Sequence, residues 1–265
     1  MAAGAVAQPK ILLDGVAMTF VGKEGPVQAL AGIELSVGDK EMVAIVGPSG
    51  CGKSTLLNLV AGFLFPTAGR VLIDGDEVDG PGAQRAVVFQ QDSVFPWLTV
   101  ADNIAYGPSA RGVPRAAWEP RVNDLLDLVG LAKERTFLPR QLSGGMRKRV
   151  DLARAYANEP EILLMDESFG ALDVLTKEKM QSSLLELWQR KPATVLFITH
   201  DIEEALFVGQ RVVVMTARPA RIAAEIAVPF PKSADPSIKT TPAFQDLRRE
   251  IIGVLADTEN ATVGA

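Results

Sequence analysis

The sequence GPSGCGKST, residues 47–55, decides the fold class. It fits the pattern G-x-x-x-x-G-K-[ST], in which glycines let backbone N–H groups turn inward and approach phosphate oxygens closely. Lys53 is expected to reach the β- and γ-phosphates of a triphosphate, and Ser54 to bind Mg²⁺ through its hydroxyl. The candidate phosphate-binding residues are Gly47, Pro48, Ser49, Gly50, Cys51, Gly52, Lys53, Ser54 and Thr55.

The flanking residues give this loop the required context. The run MVAIV at 42–46 predicts a buried strand, and residues 54–61 predict a helix that ends at Gly62. The alternative is a glycine-rich turn before an ordinary helix. Cys51 could be a nucleophile, but no base lies nearby in sequence, so we expect a loop residue facing the phosphate.

A second buried strand ends in two carboxylates. The strand predicted over 162–165 is followed by Asp166 and Glu167. Asp166 at the strand tip suits Mg²⁺, directly or through water. Glu167, one residue on, could polarise an attacking water. The alternative is an acidic surface turn, which the presence of the phosphate loop disfavours.

Two further polar residues follow predicted strands. His200, the single histidine, follows the apolar run 194–199, and Gln90 follows the run 86–89. Strand–helix–strand units predict a parallel sheet that binds ligand at the carboxyl ends of its strands. We therefore expect His200 to contact the γ-phosphate and Gln90 to touch Mg²⁺ or the water. A structural histidine and an unremarkable strand-end glutamine are the alternatives.

Composition and pattern outline the organisation of the 265 residues. The net charge of −5 argues against a nucleic-acid partner, and no apolar run is long enough to span a bilayer. The first ten residues lack the features of a signal peptide. Helical patterns replace strands over about 91–157. We predict an ATPase domain over 10–230 containing this helical insertion, followed by a loop and amphipathic helix over 231–265.

The stretch LSGGM at 142–146 precedes a helix with a basic face. A serine and two glycines at a helix start form a second anion-binding end. One nucleotide does not need two such ends in one subunit, whereas two subunits facing head to tail would use both. The alternative is an N-capped helix without a ligand.

These motifs together resemble the ATP-binding subunit of ABC transporters. The likeness is carried, in order, by GPSGCGKST (47–55), Gln90, LSGGM (142–146), ILLMDES (162–168), ALD (171–173) and His200. The resemblance implies an α/β P-loop NTPase fold of ABC type. Its parts are a mixed, largely parallel β core, an N-terminal antiparallel β-subdomain and a helical subdomain.

The resemblance also implies how ATP and Mg²⁺ are held. Two copies form a homodimer around two ATP molecules, each lying between one phosphate loop and Ser143, Gly144 and Gly145 of the partner subunit. Asp173 would cross the interface, and Phe20 would stack on adenine. Lys53, Glu167 and His200 would be the catalytic residues, with Ser54, Gln90 and Asp166 as metal ligands.

The sequence departs from the family pattern at two positions. Met146 replaces the usual glutamine of LSGGQ, and Ser168 replaces the usual proline after the Asp-Glu pair. In the family that the sequence resembles, neither position supplies a ligand to phosphate, metal or water. We therefore expect ATPase activity to survive, with regulation open to change.

The wording FPWLTVADNIAYG, DESFGALD and RPARIAAEI is similar to the bacterial nitrate/sulfonate/taurine-type importers. Such subunits sit on the cytoplasmic face of the inner membrane and energise an integral membrane permease that is supplied by a periplasmic substrate-binding protein. Phe95, Trp97 and Leu98 either pack inside the helical lobe or form a socket for the permease. The alternatives to an importer are an exporter subunit and a soluble ABC ATPase.

Overall fold

The structure, a computed structural model, describes residues 8–23, 25–170 and 172–263. Ala171 of the ALD stretch and residues 1–7, part of the signal-peptide prediction, lie outside them. The described strands are β1 (Ile11–Gly22), β2 (Gly25–Val37), β3 (Met42–Val46), β4 (Ala68–Ile73), β5 (Asp76–Glu77), β6 (Arg85–Val88), β7 (Ile162–Asp166), β8 (Thr194–Ile198), β9 (Arg211–Met215) and β10 (Ile222–Ala227). The described helices are α1 (Lys53–Ala61), α2 (Val100–Ala110), α3 (Arg115–Leu128), α4 (Gly144–Ala157), α5 (Val174–Arg190), α6 (Ile202–Val208) and α7 (Pro242–Val263).

The strands form two sheets. The larger has the order β10-β9-β3-β8-β7-β6, with parallel pairing from β9 to β6 and antiparallel pairing of β10 with β9. The smaller sheet, β2-β1-β4-β5, is antiparallel throughout. These sheets confirm the predicted α/β fold class. The carboxyl ends of β3, β6, β7 and β8 lie at one edge, so the residues that follow them converge.

Strand β3 is buried along its full length because both faces of the larger sheet are covered. Its alternate side chains join two different apolar clusters. Met42, Ala44 and Val46 pack with residues of the helices α2 to α7. Val43 and Ile45 pack with the smaller sheet and α1. The strand that leads into the phosphate loop is therefore anchored from both sides.

Helices α2, α3 and α4 occupy the described chain between β6 and β7, where the sequence predicts helix. Helix α3 begins at Arg115, and α4 begins at Gly144, inside the stretch LSGGM rather than after it. The strand predicted over 86–89 ends at Val88. No helix in the described part of the chain has both the length and the apolar character needed to cross a bilayer.

The C-terminal segment packs back onto the larger sheet. Helix α7 buries Phe244 and Ile251. The chain before it, predicted as loop from residue 231, contains a 3-10 turn at Pro236–Thr240. This turn lies against α6, the helix that follows His200. The C-terminal segment is therefore connected to the edge of the sheet that carries the candidate site.

Candidate active site

The loop 47–52 joins β3 to α1, and steric limits at two positions require glycine. Gly52 has a φ of 127°, and a Cβ there would lie 2.9 Å from Leu30 Cδ2. A Cβ on Gly47 would lie 2.8 Å from the carbonyl oxygen of Met215. The loop backbone therefore runs closer to its neighbours than a residue with a side chain allows. Helix α1 follows with no side-chain cap, which leaves its first N–H groups for another acceptor.

Lys53 folds back across this loop. Its side chain is buried, and Nζ donates hydrogen bonds to the carbonyl oxygens of Gly47 at 2.9 Å and Pro48 at 3.0 Å. Within the described part of the chain, no carboxylate forms an ion pair with this ammonium. Buried charges in proteins are usually paired. The arrangement therefore suits an anionic ligand at the loop.

The side chain of Cys51 differs from its prediction. It is 2% exposed and belongs to the apolar cluster between the two sheets, 3.2 Å from where a Cβ on Gly47 would lie. Burial raises the pKa of the Cys51 thiol. The side chain is therefore a buried, neutral packing group rather than one facing phosphate, and it is poorly suited to act as a nucleophile.

Ser54 and Asp166 meet at the start of α1. The Ser54 hydroxyl donates to Asp166 Oδ1 at 3.0 Å, although the residues are 112 positions apart. Burial raises the pKa of the Asp166 carboxyl, the hydrogen bond from Ser54 opposes this, and the charge of Glu167 raises it further. An oxygen-only pair of this kind is the donor chemistry that Mg²⁺ prefers.

Glu167 lies between two polar side chains from neighbouring strand ends. Its Oε2 is 3.3 Å from His200 Nδ1 and accepts a hydrogen bond from Gln90 Nε2 at 3.2 Å. The Glu167 backbone has a φ of 41° and is held by its N–H, which donates to the Ile198 carbonyl at 2.9 Å. The structure therefore brings together the carboxylate, imidazole and amide that the sequence placed at three strand ends.

Ser168, one of the two departures from the family pattern, is buried directly after Glu167. Its hydroxyl donates to the Val88 carbonyl at 3.1 Å. This bond ties the chain after β7 to the end of β6, close to where Gln90 leaves the sheet. Serine at this position therefore supports the local geometry with a hydrogen bond that proline cannot donate.

The stretch 142–146 forms the start of α4. Ser143 is the N-cap residue, and its Oγ accepts a hydrogen bond from the Met146 N–H at 3.3 Å. Gly145 packs against α5, since a Cβ there would lie 2.3 Å from Thr176 Cγ2. Among the hydrogen bonds of the described residues, none joins 143–145 to the phosphate loop. In the described structure, the start of α4 is therefore not tied by hydrogen bonds to the phosphate loop of its own chain.

Asp173, predicted to cross the interface, and Phe20, predicted to stack on adenine, both have accessible surroundings. Asp173 is the N-cap of α5, accepting a hydrogen bond from the Thr176 N–H at 3.1 Å, and Val174 and Leu175 beside it are exposed. Phe20, near the end of β1, is 40% exposed. The crossing of a subunit interface by Asp173 and the stacking of Phe20 on adenine both remain predictions.

The residues around Gln90 are fastened to α4, which the sequence did not predict. We call residues 89–93 the Gln90 segment. Lys148, almost fully buried, donates to the Phe89 carbonyl at 2.9 Å, and Arg147 donates to Asp92 at 2.7 Å. A basic face on α4 was visible in the sequence, but its partners lie 55 and 59 positions away.

A third attachment joins the Gln90 segment to α4, and we call this line of contacts the seam. The Ser93 hydroxyl donates to Asp151 at 3.0 Å, and Arg154 donates to the Ser93 carbonyl at 2.7 Å. The guanidinium of Arg154 also lies 5.1 Å from the centre of the Phe95 ring. The Gln90 segment is therefore positioned by side chains of the helix whose first residues are 144 and 145.

A groove of about 550 Å³ opens beside this seam, between β6, α2 and α4. Its wall includes Phe89, Phe95 and Tyr106, and the rings of the last two are 4.4 Å apart. Phe95 and Leu98 are half-buried, whereas Trp97 is 72% exposed beside Phe95. Phe95 therefore packs against Tyr106 of α2 and also lines the groove, whereas Trp97 is exposed beside it.

Residues 30–170 match the family model described as ABC transporter. The chain belongs to the ABC transporter family. The match to this ABC family includes the phosphate loop, Gln90, the stretch 142–146, Asp166 and Glu167. His200 and Phe20 lie outside the matched range.

Individual ABC proteins extend the likeness over most of the chain. The taurine import ATP-binding protein of Roseobacter denitrificans is 44% identical over 257 residues, covering 95% of this chain and 96% of that protein. The dimeric structure of a bacterial ABC transporter cassette, MJ0796, is similar with a TM-score of 0.73 and 32% identity, over 83% of this chain and 99% of that chain. A post-hydrolysis MJ0796 dimer bound to ADP and Pi gives 0.71 and 31%, over the same shares. These matches confirm the prediction of an ABC-type ATPase of the nitrate/sulfonate/taurine importer group.

Proposed function

We propose that this chain hydrolyses ATP as a homodimer and energises a separate integral membrane permease for uptake of a small solute. The observation that carries the proposal is the meeting of Glu167, His200 and Gln90 at one edge of the sheet. This edge also holds Lys53 and the Ser54–Asp166 pair. A phosphate-binding loop, a candidate base and a candidate γ-phosphate contact therefore share one face.

Each residue has a defined part in the proposed reaction. The N–H groups of loop 47–52, the α1 N-terminus and the Lys53 ammonium bind the β- and γ-phosphates. Glu167 accepts a proton from the attacking water, while His200 stabilises charge on the γ-phosphate. Gln90 orients the water and adjusts its contact with Glu167 as the site fills.

The residues present fit Mg²⁺. Ser54, Asp166 and the amide oxygen of Gln90 would hold the ion, and hard oxygen donors with few protein ligands suit it. Mg²⁺ when bound neutralises phosphate charge. Because burial raises the pKa of Asp166, a nearby cation would also stabilise its ionised form.

Two copies of the chain would complete the site. The N-terminus of α4, with Ser143, Gly144 and Gly145, would face the phosphates bound by the partner subunit. Asp173 and the exposed residues beside it would lie at the same interface, and Phe20 would stack on adenine. Support comes from the start of α4, which makes no described hydrogen bond to the phosphate loop of its own chain, and from similarity to a cassette solved as a dimer.

The groove between β6, α2 and α4 would receive a helix of the permease.

Residues 10–230 would form the ATPase domain, which includes the helical subdomain at about 91–157. Residues 231–265 would form a C-terminal extension. A periplasmic substrate-binding protein would deliver the solute to the permease, and this subunit would lie at the cytoplasmic face of a bacterial inner membrane. The 44% identical taurine importer supports a small anion such as taurine, another sulfonate or nitrate.

Purification from the native host tests the assignment. Tagged Glu167→Gln protein, expressed in that host and extracted in detergent with ATP and Mg²⁺, should retain a polytopic permease encoded beside a periplasmic binding protein. ATP omission is the control, since an open dimer should hold the permease less tightly. Recovery of a permease with no neighbouring binding protein would favour export, and recovery of soluble partners alone would refute transport.

Replacement of Trp97 by alanine tests permease docking at the exposed surface next to Phe95, one of the residues that line the groove. An exposed tryptophan at an interface centre contributes roughly 2 kcal/mol, so permease binding should weaken by about thirtyfold. ATPase activity of the isolated subunit should stay within about twofold of wild type, because Trp97 is exposed and is not one of the proposed phosphate-binding residues. Ile252→Ala, which removes another exposed apolar side chain on α7, is the matched control. Unchanged permease binding by Trp97→Ala would place the docking surface elsewhere.

A further inference from the structure

A buried carboxylate lies behind the loop that carries His200. Glu204, on α6, is 2% exposed. Its carboxylate accepts a hydrogen bond from the Thr199 hydroxyl and another from Gln181 Nε2 at 3.1 Å. Burial raises the pKa of the Glu204 carboxyl, and these two hydrogen bonds oppose the rise. A buried carboxylate is costly, so its retention next to a catalytic loop requires a reason.

The Thr199 hydroxyl links Glu204 to the loop that carries His200. While it donates to Glu204, its oxygen accepts a hydrogen bond from the Asp201 N–H at 3.0 Å. The Thr199 N–H donates to the Ile45 carbonyl of β3 at 3.1 Å. The two residues that flank His200 are thus joined to each other and to the central strand. The His200 side chain itself is 58% exposed and has few contacts of its own to fix its position.

The other end of this chain of bonds is in the C-terminal segment. Lys239, in the 3-10 turn before α7, donates to Gln181 Oε1 at 2.9 Å. Its ammonium also lies 4.7 Å from the centre of the Phe207 ring. Because an ammonium can only donate, it turns the amide oxygen of Gln181 toward itself and the amide N–H toward Glu204. Donor and acceptor are therefore assigned along the whole chain of bonds: Lys239 donates to Gln181, and Gln181 donates to Glu204. From the other side, Asp201 donates to Thr199, and Thr199 donates to Glu204.

We propose that Glu204 is a positioning residue that holds the His200 loop in its reactive geometry, and that the C-terminal segment supports it through Lys239. The proposal rests on the proposed contact of His200 with the γ-phosphate. Glu204 touches neither ATP nor the water and acts only through Thr199 and the loop. Its removal should therefore lower turnover with little effect on ATP binding.

The test uses Glu204→Gln in the full chain, alone and combined with His200→Ala. A glutamine turns one acceptor into a donor, so it cannot accept from Gln181 and Thr199 with both its terminal atoms. We expect kcat for ATP hydrolysis to fall roughly tenfold and the KM for ATP to stay within about twofold. Glu186→Gln, the same change at an exposed position on α5, should leave both values unchanged.

The double variant separates positioning from general damage. If Glu204 acts through His200, Glu204→Gln should lower kcat by less than about twofold in the His200→Ala protein. A full tenfold loss there, or wild-type kcat for Glu204→Gln alone, would overturn the positioning proposal. Full activity of His200→Ala by itself would instead refute the proposed function of His200, and this inference with it.

Lys239→Met tests the contribution of the C-terminal segment and does not disturb Glu204 directly. We expect kcat to fall about threefold in Lys239→Met alone, and we expect no further loss when Lys239→Met is added to Glu204→Gln. Lys179→Met, an exposed lysine on α5, is the matched control. Additive losses from Lys239→Met and Glu204→Gln, or wild-type kcat for Lys239→Met alone, would exclude this contribution.

Discussion

Replacing Glu167 by glutamine should lower ATP turnover by roughly 10²–10⁴-fold, the range of a lost general base. The amide keeps the size of the carboxylate, so contacts near Gln90 and His200 can largely persist. It cannot take a proton from water. ATP binding should be retained, and the ATP-bound dimer should accumulate because its product is not formed.

Phosphate release under saturating ATP and size-exclusion chromatography with and without ATP measure these two results. Glu186→Gln, an exposed carboxylate on α5, controls for loss of charge alone and should behave as wild type. Turnover near the wild-type rate in Glu167→Gln would remove Glu167 as the base. Failure to dimerise with ATP despite slow turnover would leave the base intact and contradict the proposed closure.

Replacing Lys53 by alanine should weaken ATP binding by at least about tenfold and lower turnover by roughly 10²–10³-fold. The buried ammonium has only the carbonyls of Gly47 and Pro48 as hydrogen-bond partners in the described structure. Its loss therefore removes the positive charge from the phosphate loop. Fluorescent-nucleotide titration and phosphate release measure the two effects.

Thermal melting of Lys53→Ala establishes whether the protein is folded, and Lys179→Ala provides a matched loss of one lysine elsewhere. Wild-type affinity together with wild-type turnover would refute a phosphate contact by Lys53. Normal affinity with reduced turnover would assign the lysine to the transition state rather than to ground-state binding.

The sequence predicted which polar residues meet at one edge of the sheet, because topology determines where strand ends lie. Asp166, Glu167 and His200 each follow an apolar run, and parallel strands bring such positions together. The inward turn of Cys51 could not be predicted, since it depends on the local path of a loop packed under the smaller sheet. Strand β10 was also missed, because its edge position leaves it only partly buried.

Long-range side-chain contacts were the other limit. The bonds from Lys148 to Phe89 and from Lys239 to Gln181 span 59 and 58 positions. A sequence pattern shows that a helix has a basic or polar face, but the partner of each charge depends on how helices pack in three dimensions. The surroundings of Glu204 were hidden for the same reason.

The Gln90 segment is attached to α4, so in the proposed dimer the groove between β6, α2 and α4 would respond only when both nucleotide sites are occupied. Gln90 would register the nucleotide bound by its own chain, while residues 143–145 at the other end of the seam would register the nucleotide bound by the partner. The hydrogen bonds from α4 to the Gln90 segment, made by Lys148, Arg147 and Arg154, would couple these two responses. ATP at one site alone should therefore cause little switching of the permease. Permease switching should then depend on ATP with a Hill coefficient approaching about 2.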